Sequence, residues 1–195
     1  MLCNSLSVGT KPQRILKPDG YKQRIQRMWE GRGSKYDSSD TFHQSLAEQL
    51  VKRASLQRGS TVLDVASGTG MVALPAAESV GSSGKVVAVD ISSSMLAEVR
   101  DLRGAYCQAL SLQPDSRHVA LQAQRKATET GLNNMEFVVC DAETMKHAER
   151  TFDHIFCSSG MLYLQHIDRA IQQFHDWLKS GGRLHFNTPQ VISFI

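Results

Sequence analysis

Two short runs of apolar and β-branched residues, TVLDV at 61–65 and KVVAVD at 85–90, flank a stretch in which apolar residues recur near helical spacing. The first run leads into the glycine-rich turn ASGTG at 66–70, and the second ends in Asp90. Continuous apolar runs of this length are typical of strands buried on both faces. The pattern therefore predicts strand, glycine turn, helix, strand and acid, which is half of a nucleotide-binding βαβ unit.

The rest of the chain continues this alternation of helices and strands. Apolar residues at helical spacing predict amphipathic helices over 21–30, 42–54 and 164–178, and short apolar runs predict strands at 135–139, 152–157 and 184–187. The inward positions of the second and third of these helices are predicted to be Phe42, Leu46, Leu50 and Val51, and Ile167, Ile171, Phe174, Trp177 and Leu178. Strands that alternate with helices indicate an α/β protein with a mostly parallel sheet.

Asp64 distinguishes between two cofactor classes that use such a unit. Gly68 to Ala73 satisfies the G-x-G-x-x-A pattern of dinucleotide-binding turns. A diphosphate favours a helix N-terminus without nearby acids, whereas Asp64, at the end of the first strand, brings a carboxylate to that place. S-adenosylmethionine carries an ammonium and a sulfonium and no phosphate, so this carboxylate would attract it. Gly68 and Gly70 would let the backbone approach it closely, and Asp90 would accept hydrogen bonds from both ribose hydroxyls.

The segments VLDVASGTG at 62–70 and VVAVD at 86–90 resemble the first two motifs of the class I S-adenosylmethionine-dependent methyltransferases. That family usually has glycine in place of Ala66, and an alanine is tolerated there if its φ is negative. The resemblance extends in order over about residues 25–190. It implies a Rossmann-like, doubly wound sheet of strand order 3-2-1-4-5 with helices on both faces. The branch resembled acts on small molecules, including quinones, sterols and natural products, and the motifs do not specify the acceptor.

The resemblance also implies which residues bind the cofactor. Asp141 would accept a hydrogen bond from the adenine amine, and the adjacent backbone would contact a ring nitrogen. Ile91 would pack on the adenine, in the core, or in both places. Since ligands bind where the strand order reverses, the segment from Cys157 to Ser159 should face the methyl donor. The full predicted set is Asp64, Ala66, Ser67, Gly68, Gly70, Asp90, Ile91, Met95, Asp141, Ala142, Cys157 and Ser158.

Several segments depart from the family pattern. Residues 1–20 are expected to form a loose tail before a domain at 21–195, and residues of about 101–124 form an insertion that would be either a helical hairpin or a disordered loop. Tyr36-Asp37 is similar to the family segment that lies over the cofactor, although an ordinary loop is equally compatible. The chain ends soon after the fifth predicted strand, so the family's final β-hairpin is expected to be missing.

Composition and charge limit which binding partners and which cellular compartment are expected. A length of 195 residues suits one domain, and a formal charge of +3 is only mildly basic. Because the basic residues concentrate in 11–35 with little aromatic interleaving, we expect a solvated face there and no nucleic-acid partner. Four cysteines without disulfide or metal spacing favour a reducing compartment such as the cytoplasm, although the acid-free first eighteen residues faintly resemble an organelle transit peptide. No apolar run approaches transmembrane length.

Three functional hypotheses follow from the sequence. The first is a methyltransferase that acts on a small molecule by direct methyl transfer, with Tyr163 and His166 as candidate bases and no metal. His166 also fits an ordinary helix-surface position. The second is a catalytically silent, methyltransferase-like isoform that binds the cofactor or a protein partner. The third is a nicotinamide-dependent reductase that uses Gly68 to Ala73.

Overall fold

The computed structural model describes residues 19–32, 41–96 and 133–188. Nearly all of the predicted N-terminal tail, the Tyr36-Asp37 segment and the predicted insertion at about 101–124 lie outside the described residues.

A five-stranded sheet forms the centre of the structure. Its strands are β1 (Thr61–Val65), β2 (Lys85–Asp90), β3 (Met135–Val139), β4 (Phe152–Ser158) and β5 (Leu178–Asn187). They run parallel in the order β3-β2-β1-β4-β5. β1 pairs with β2 from Thr61 opposite Lys85 to Val65 opposite Val89. The predicted Rossmann-like topology is confirmed, and the strand order reverses between β1 and β4.

Helices cover the sheet and one side of its carboxyl edge. The helices are α1 (Tyr21–Trp29), α2 (Thr41–Ala54), α3 (Ala73–Val80) and α4 (Ile167–Trp177). Another helix begins at residue 93, and a 3-10 turn spans Met161–Tyr163. Within the described residues, no helix combines the length and the apolar character that a membrane span requires.

Alternate residues of the central strands supply two hydrophobic layers. Val62 and Phe156 belong to the layer that contains residues of α2 and α3, whereas Leu63 and Ile155 belong to the layer that contains residues of α4. All four side chains are fully buried. Because successive strand residues point to opposite faces, a continuous apolar run requires cover on both sides. The predicted helices on both faces are therefore confirmed.

The buried face of α2 differs from the predicted one. Phe42 is 58% exposed, so its predicted inward position is wrong. The residues of α2 that are buried are Ala47, Val51 and Ala54, which recur at helical spacing. Small residues let α2 approach the sheet closely, and Phe42 lies too near the start of the helix to reach that contact.

The face of α4 also differs in part. Phe174 and Trp177 are buried as predicted, but Ile167 and Ile171 are 40% and 41% exposed and their predicted inward positions are wrong. Ala170 is buried in their place. The contact face of α4 therefore follows Ala170, Phe174 and Trp177, which recur at helical spacing.

β5 begins earlier than predicted. The strand starts at Leu178 rather than Leu184, because Leu178 pairs with Phe152 at the start of β4. The register then shifts, and Arg183 is the next residue to pair, opposite His154. The intervening residues form a bulge in which Gly181 has φ of 80°. A pairing between distant strands set this boundary, and the local glycine pattern alone predicted a turn.

Candidate functional site

A cavity of about 350 Å³ lies at the carboxyl ends of the strands. Residues at the ends of β1, β2, β3 and β4 contribute to its wall, and Asp64, Asp90, Asp141 and Ser158 are among them. Parallel sheets bind ligands at this edge, where the strand order reverses. The structure thus brings the three predicted acids to one cavity.

Backbone hydrogen bonds hold the glycine-rich turn that follows β1. The Ser67 N–H donates to the carbonyl of Val89, and the Gly70 N–H donates to the carbonyl of Ser67, each at 3.0 Å. Gly68 and Gly70 have φ of 58° and 85°, which glycine adopts without strain. Ser67 and Gly68 line the cavity, whereas Gly70 is not part of its wall and shapes the turn.

Asp64 is buried beneath this turn, with only 1% of its surface exposed. Its carboxylate accepts a hydrogen bond from the Ser67 hydroxyl at 2.7 Å and another from the backbone N–H of Ala73 at the start of α3. Burial raises the pKa of Asp64 to about 7; the Ser67 hydrogen bond opposes this rise, and the charge of Asp90 adds to it. A cationic ligand beside Asp64 would favour the ionised carboxylate, and a diphosphate would disfavour it.

Two non-glycine residues adopt left-handed backbone conformations where β1 and β4 end. Ala66 has φ of 55° and Ser159 has φ of 56°, so Ala66 does not have the negative φ under which an alanine would be tolerated without strain. The two turns approach closely, because a Cβ added to Gly160 would lie 2.7 Å from the Cβ of Ala66. The geometry of the turn, rather than the preference of alanine, sets the backbone here. Strain of this kind is often found at ligand-binding edges.

Replacing Ala66 with glycine is expected to stabilise the protein. An L-residue in the left-handed region costs about 1–2 kcal/mol, of which the greater flexibility of unfolded glycine offsets part. The expected net gain is about 1 kcal/mol, or roughly 2–4 °C in Tm. Thermal unfolding checks this, with Ala148→Gly as the control, since Ala148 is exposed and its φ is not positive. An equal or lower Tm for Ala66→Gly than for the wild type would contradict the prediction.

Asp90 organises the next strand end. Its Oδ2 accepts a hydrogen bond from the Gly68 N–H at 2.8 Å, and its Oδ1 accepts one from the Ser92 N–H at 2.9 Å. The Ser92 hydroxyl in turn accepts a hydrogen bond from the Met95 N–H at 3.4 Å, as expected for the serine N-cap of the helix that begins at residue 93. Asp90, Ile91 and Met95 all line the cavity.

An ion pair from α1 meets the loop that follows β3. Asp141 and Ala142 line the cavity, and the ammonium of Lys22 lies 2.8 Å from Oδ1 of Asp141 and also pairs with Glu143. The side chain of Lys22 is only 17% exposed. The prediction of a solvated basic face is therefore wrong for Lys22.

The segment that leaves β4 presents serines to the cavity. Ser158 and Ser159 line it, but Cys157 is fully buried in the same hydrophobic layer as Ile155 and is not part of the wall. Successive side chains of a strand point to opposite faces, so the side chains of residues 155 and 157 point to the same face of the sheet. This explains why Cys157 is buried while Ser158 lines the cavity. The side-chain oxygen of Asn187 accepts hydrogen bonds from the Ser159 N–H at 2.8 Å and the Ser158 hydroxyl at 3.3 Å, which fixes the segment.

Aromatic residues form a part of the cavity wall that the sequence did not predict. Trp29 meets Tyr163 edge-on, with ring centroids 5.5 Å apart. The guanidinium of Arg32 lies 5.6 Å from the centroid of the Trp29 ring. Ile25 and Leu162 complete this wall. The apolar face of α1 was visible in the sequence, but nothing local indicated that it faces this cavity.

The cavity also contains groups that can exchange protons. Tyr163 and His43 line it, whereas His166 does not, although its backbone N–H donates to Glu143. Burial raises the pKa of Tyr163, so the phenol remains a hydrogen-bond donor at neutral pH. In the part of the chain that the structure describes, no cluster of three or more His, Cys, Asp or Glu side chains could hold a metal ion.

Comparisons with known proteins agree with this geometry. Residues 63–186 match the family model described as a methyltransferase domain. The chain is 30% identical over 175 residues to an aklanonic acid methyltransferase of Streptomyces sp. (strain C5), covering 89% of this chain and 69% of the relative. It is 27% identical over 186 residues to a demethylmenaquinone methyltransferase of Oceanobacillus iheyensis, covering 91% and 68%.

A solved structure supports the fold. Phosphoethanolamine N-methyltransferase 1 of Haemonchus contortus, in complex with phosphoethanolamine and S-adenosylhomocysteine, matches 86% of this chain and 32% of its own with a TM-score of 0.61 and 17% identity. The chain thus spans about a third of that protein and about two thirds of the two relatives. The chain belongs to the class I methyltransferases that use S-adenosylmethionine and act on small molecules.

Proposed function

We propose that the protein transfers a methyl group from S-adenosylmethionine to a planar, aromatic small molecule. The observation that carries this proposal is a cavity lined both by carboxylates and glycine backbone at the strand ends and by the aromatic pair Trp29 and Tyr163. Aromatic walls favour flat apolar ring systems. Two relatives are named for aklanonic acid and for demethylmenaquinone, which supports an acceptor from these compound classes.

The strand order suggests how the cofactor lies. Asp64, Asp90 and Asp141 belong to the ends of β1, β2 and β3, which are neighbours in the sheet. The ammonium would lie near Asp64, the ribose at Asp90 and the adenine toward Asp141. The residues that would complete this site are Ala66, Ser67, Gly68, Ile91, Met95, Ala142 and Ser158.

The charged groups that line the cavity fit S-adenosylmethionine better than a dinucleotide. Among the described residues that line the cavity, the Lys and Arg side chains are Lys22, which is paired with Asp141 and Glu143, and Arg32, which lies against Trp29. The glycine turn therefore offers carboxylates and backbone N–H groups but no nearby cation to neutralise a diphosphate.

Methyl transfer would depend mainly on orientation and exclusion of water. When bound, the cofactor supplies an electrophilic methyl group on a positively charged sulfur. Trp29 and Tyr163 would hold the acceptor ring, and the Tyr163 hydroxyl would donate a hydrogen bond to an acceptor oxygen. His43 is the cavity imidazole that can take up a proton from the acceptor.

A calorimetric titration tests the cofactor assignment. We expect saturable binding of S-adenosylhomocysteine and none of NAD; binding of NAD alone would contradict the proposal and favour a reductase. Methyl transfer to demethylmenaquinone and to aklanonic acid, followed by mass spectrometry, tests the acceptor class. Cofactor binding without turnover on any aromatic acceptor would favour the catalytically silent isoform.

A further inference from the structure

Lys22 joins α1 to the loop that follows β3. Its ammonium lies 2.8 Å from Oδ1 of Asp141 and also pairs with Glu143. The side chains of Lys22, Asp141 and Glu143 are 17%, 19% and 10% exposed, so these contacts form largely away from water. Because charges in such surroundings are costly when unpaired, the contacts hold the three side chains in place.

The carboxylate of Asp141 is held through one oxygen. Its Oδ1 accepts hydrogen bonds from Lys22 and from the backbone N–H of Glu143 at 3.1 Å, whereas no donor from the described residues reaches Oδ2. Asp141 also lines the cavity. The bonds to Oδ1 fix the orientation of the carboxylate, and Oδ2 remains available to a donor on a ligand.

Glu143 fixes the position of Lys22 in turn. Its two oxygens accept hydrogen bonds from the backbone N–H groups of His166 and Gln165, each at 2.6 Å. Burial would raise the pKa of Glu143, but the bonds from Lys22 and these N–H groups outweigh burial and hold the pKa below its ordinary value. The ammonium of Lys22 therefore lies between the carboxyl groups of Asp141 and Glu143, and Glu143 is anchored to the segment before α4.

The other end of α1 is tied down as well. Glu30, which follows α1, accepts hydrogen bonds from the hydroxyls of Ser92 and Ser93 at 3.0 and 2.8 Å. Helix α1 is thus attached beyond the end of β2 at one terminus and beyond the end of β3 at the other. Asp90 and Asp141, the proposed ribose and adenine acceptors, belong to these same two strand ends.

We propose that Lys22 is a positioning residue for the cofactor, which orients Asp141 so that Oδ2 accepts a hydrogen bond from the adenine amine. This inference rests on the cofactor site proposed above. It makes α1 part of the adenine pocket, since Lys22 lines the cavity and would act on the base through Asp141. A purely structural ion pair would stabilise α1 without changing which base the pocket prefers, so base preference separates the two roles.

The test compares S-adenosylhomocysteine with S-inosylhomocysteine, in which an oxygen replaces the adenine amine. The wild type is expected to bind the adenine compound at least about tenfold more tightly, because the inosine oxygen would face a carboxylate oxygen with no proton between them. Lys22→Met is expected to reduce this preference to less than about threefold. Arg24→Met is the matched control, since Arg24 is exposed on the same helix, and it should keep the full preference.

Lys22→Gln is the second variant, because it keeps an N–H donor without the charge and is expected to show an intermediate preference. Thermal unfolding identifies the folded variants. A preference of wild-type size in a folded Lys22 variant would overturn the positioning role and leave the cofactor site intact. Failure of the wild type to bind either compound would overturn both proposals.

Discussion

Replacing Asp64 with asparagine is expected to weaken S-adenosylhomocysteine binding by roughly tenfold or more at pH 8 and to stabilise the cofactor-free protein at the same pH. The carboxyl is 1% exposed, and burial raises its pKa to about 7. The folded protein therefore bears the cost of an ionised, buried group above that pH. A ligand ammonium would compensate this cost, and an asparagine amide would not.

The effect of Asp64 on stability has a defined pH window. An aspartate in the unfolded chain has a pKa of about 3.9, so between about pH 4 and pH 7 the unfolded chain releases a proton that the folded protein keeps. The contribution of Asp64 to the free energy of unfolding is fully present below about pH 4 and falls as pH rises through 7, by at most roughly 4 kcal/mol. Because asparagine does not ionise, the Asp64→Asn variant does not undergo this decrease in the free energy of unfolding.

Asparagine also changes the hydrogen bonds at this position. The carboxyl group accepts bonds from Ser67 and Ala73, whereas asparagine has an NH2 group in place of the second oxygen, and this exchange costs about 1–3 kcal/mol. We therefore expect Asp64→Asn to have a lower Tm than the wild type near pH 5 and a higher one near pH 8. Thermal unfolding of the cofactor-free proteins measures this crossover. Parallel Tm curves would show that Asp64 does not titrate in this range.

Ligand binding should follow the same ionisation. Because an ammonium prefers the carboxylate form, the wild-type affinity is expected to rise as pH increases toward 7 and then to level off, while the affinity of Asp64→Asn stays flat. Asp153→Asn is a useful control: burial would raise the pKa of Asp153, but hydrogen bonds from Lys179 and Thr61 and the charge of Lys179 together outweigh burial and lower the pKa. That variant should lose stability above about pH 4 and leave the binding profile unchanged.

The sequence predicted those parts of the molecule that depend on local periodicity. The five strands followed from short apolar runs, whereas the strand order followed from the resemblance to the methyltransferase family. Asp64 and Asp90 were found from the two apolar runs that contain them, and Asp141 was found from the resemblance. Cys157 was wrongly included because the loop was treated as one unit, although strand alternation already placed its side chain beside Ile155.

The parts that the sequence did not predict depend on contacts between distant segments. Lys22 pairs with Asp141 across 119 positions of the chain, and no pattern within α1 distinguishes it from the exposed Arg24. The left-handed backbone of Ala66 lies against the Gly160 turn, which follows another strand. Similarly, the start of β5 follows from the pairing of Leu178 with Phe152. These features require the assembled sheet.

Replacing Asp90 with alanine is expected to weaken S-adenosylhomocysteine binding by about 1.5–3 kcal/mol, or roughly 10- to 150-fold. Asp90 is 8% exposed, and its two oxygens already accept the N–H groups of Gly68 and Ser92. Each oxygen has a second lone pair, which would accept a ribose hydroxyl. Alanine removes the ribose acceptors and also the two bonds that hold the glycine turn, so Tm should fall as well.

The variant Asp90→Asn distinguishes the contact of Asp90 with the ribose from its support of the glycine turn. An asparagine keeps one acceptor oxygen for either Gly68 or Ser92, so its Tm is expected to lie between those of the wild type and Asp90→Ala. If Asp90 acts on the ribose directly, both variants should prefer S-adenosylhomocysteine over its 2′-deoxyribose analogue less than the wild type does. If Asp90 only shapes the turn, affinity should fall in proportion to the loss in Tm and the ribose preference should persist. Unchanged affinity in folded Asp90→Ala would contradict the ribose contact. It would mean that the Asp90 carboxylate joins two strand ends without contacting the ligand and contributes to stability alone.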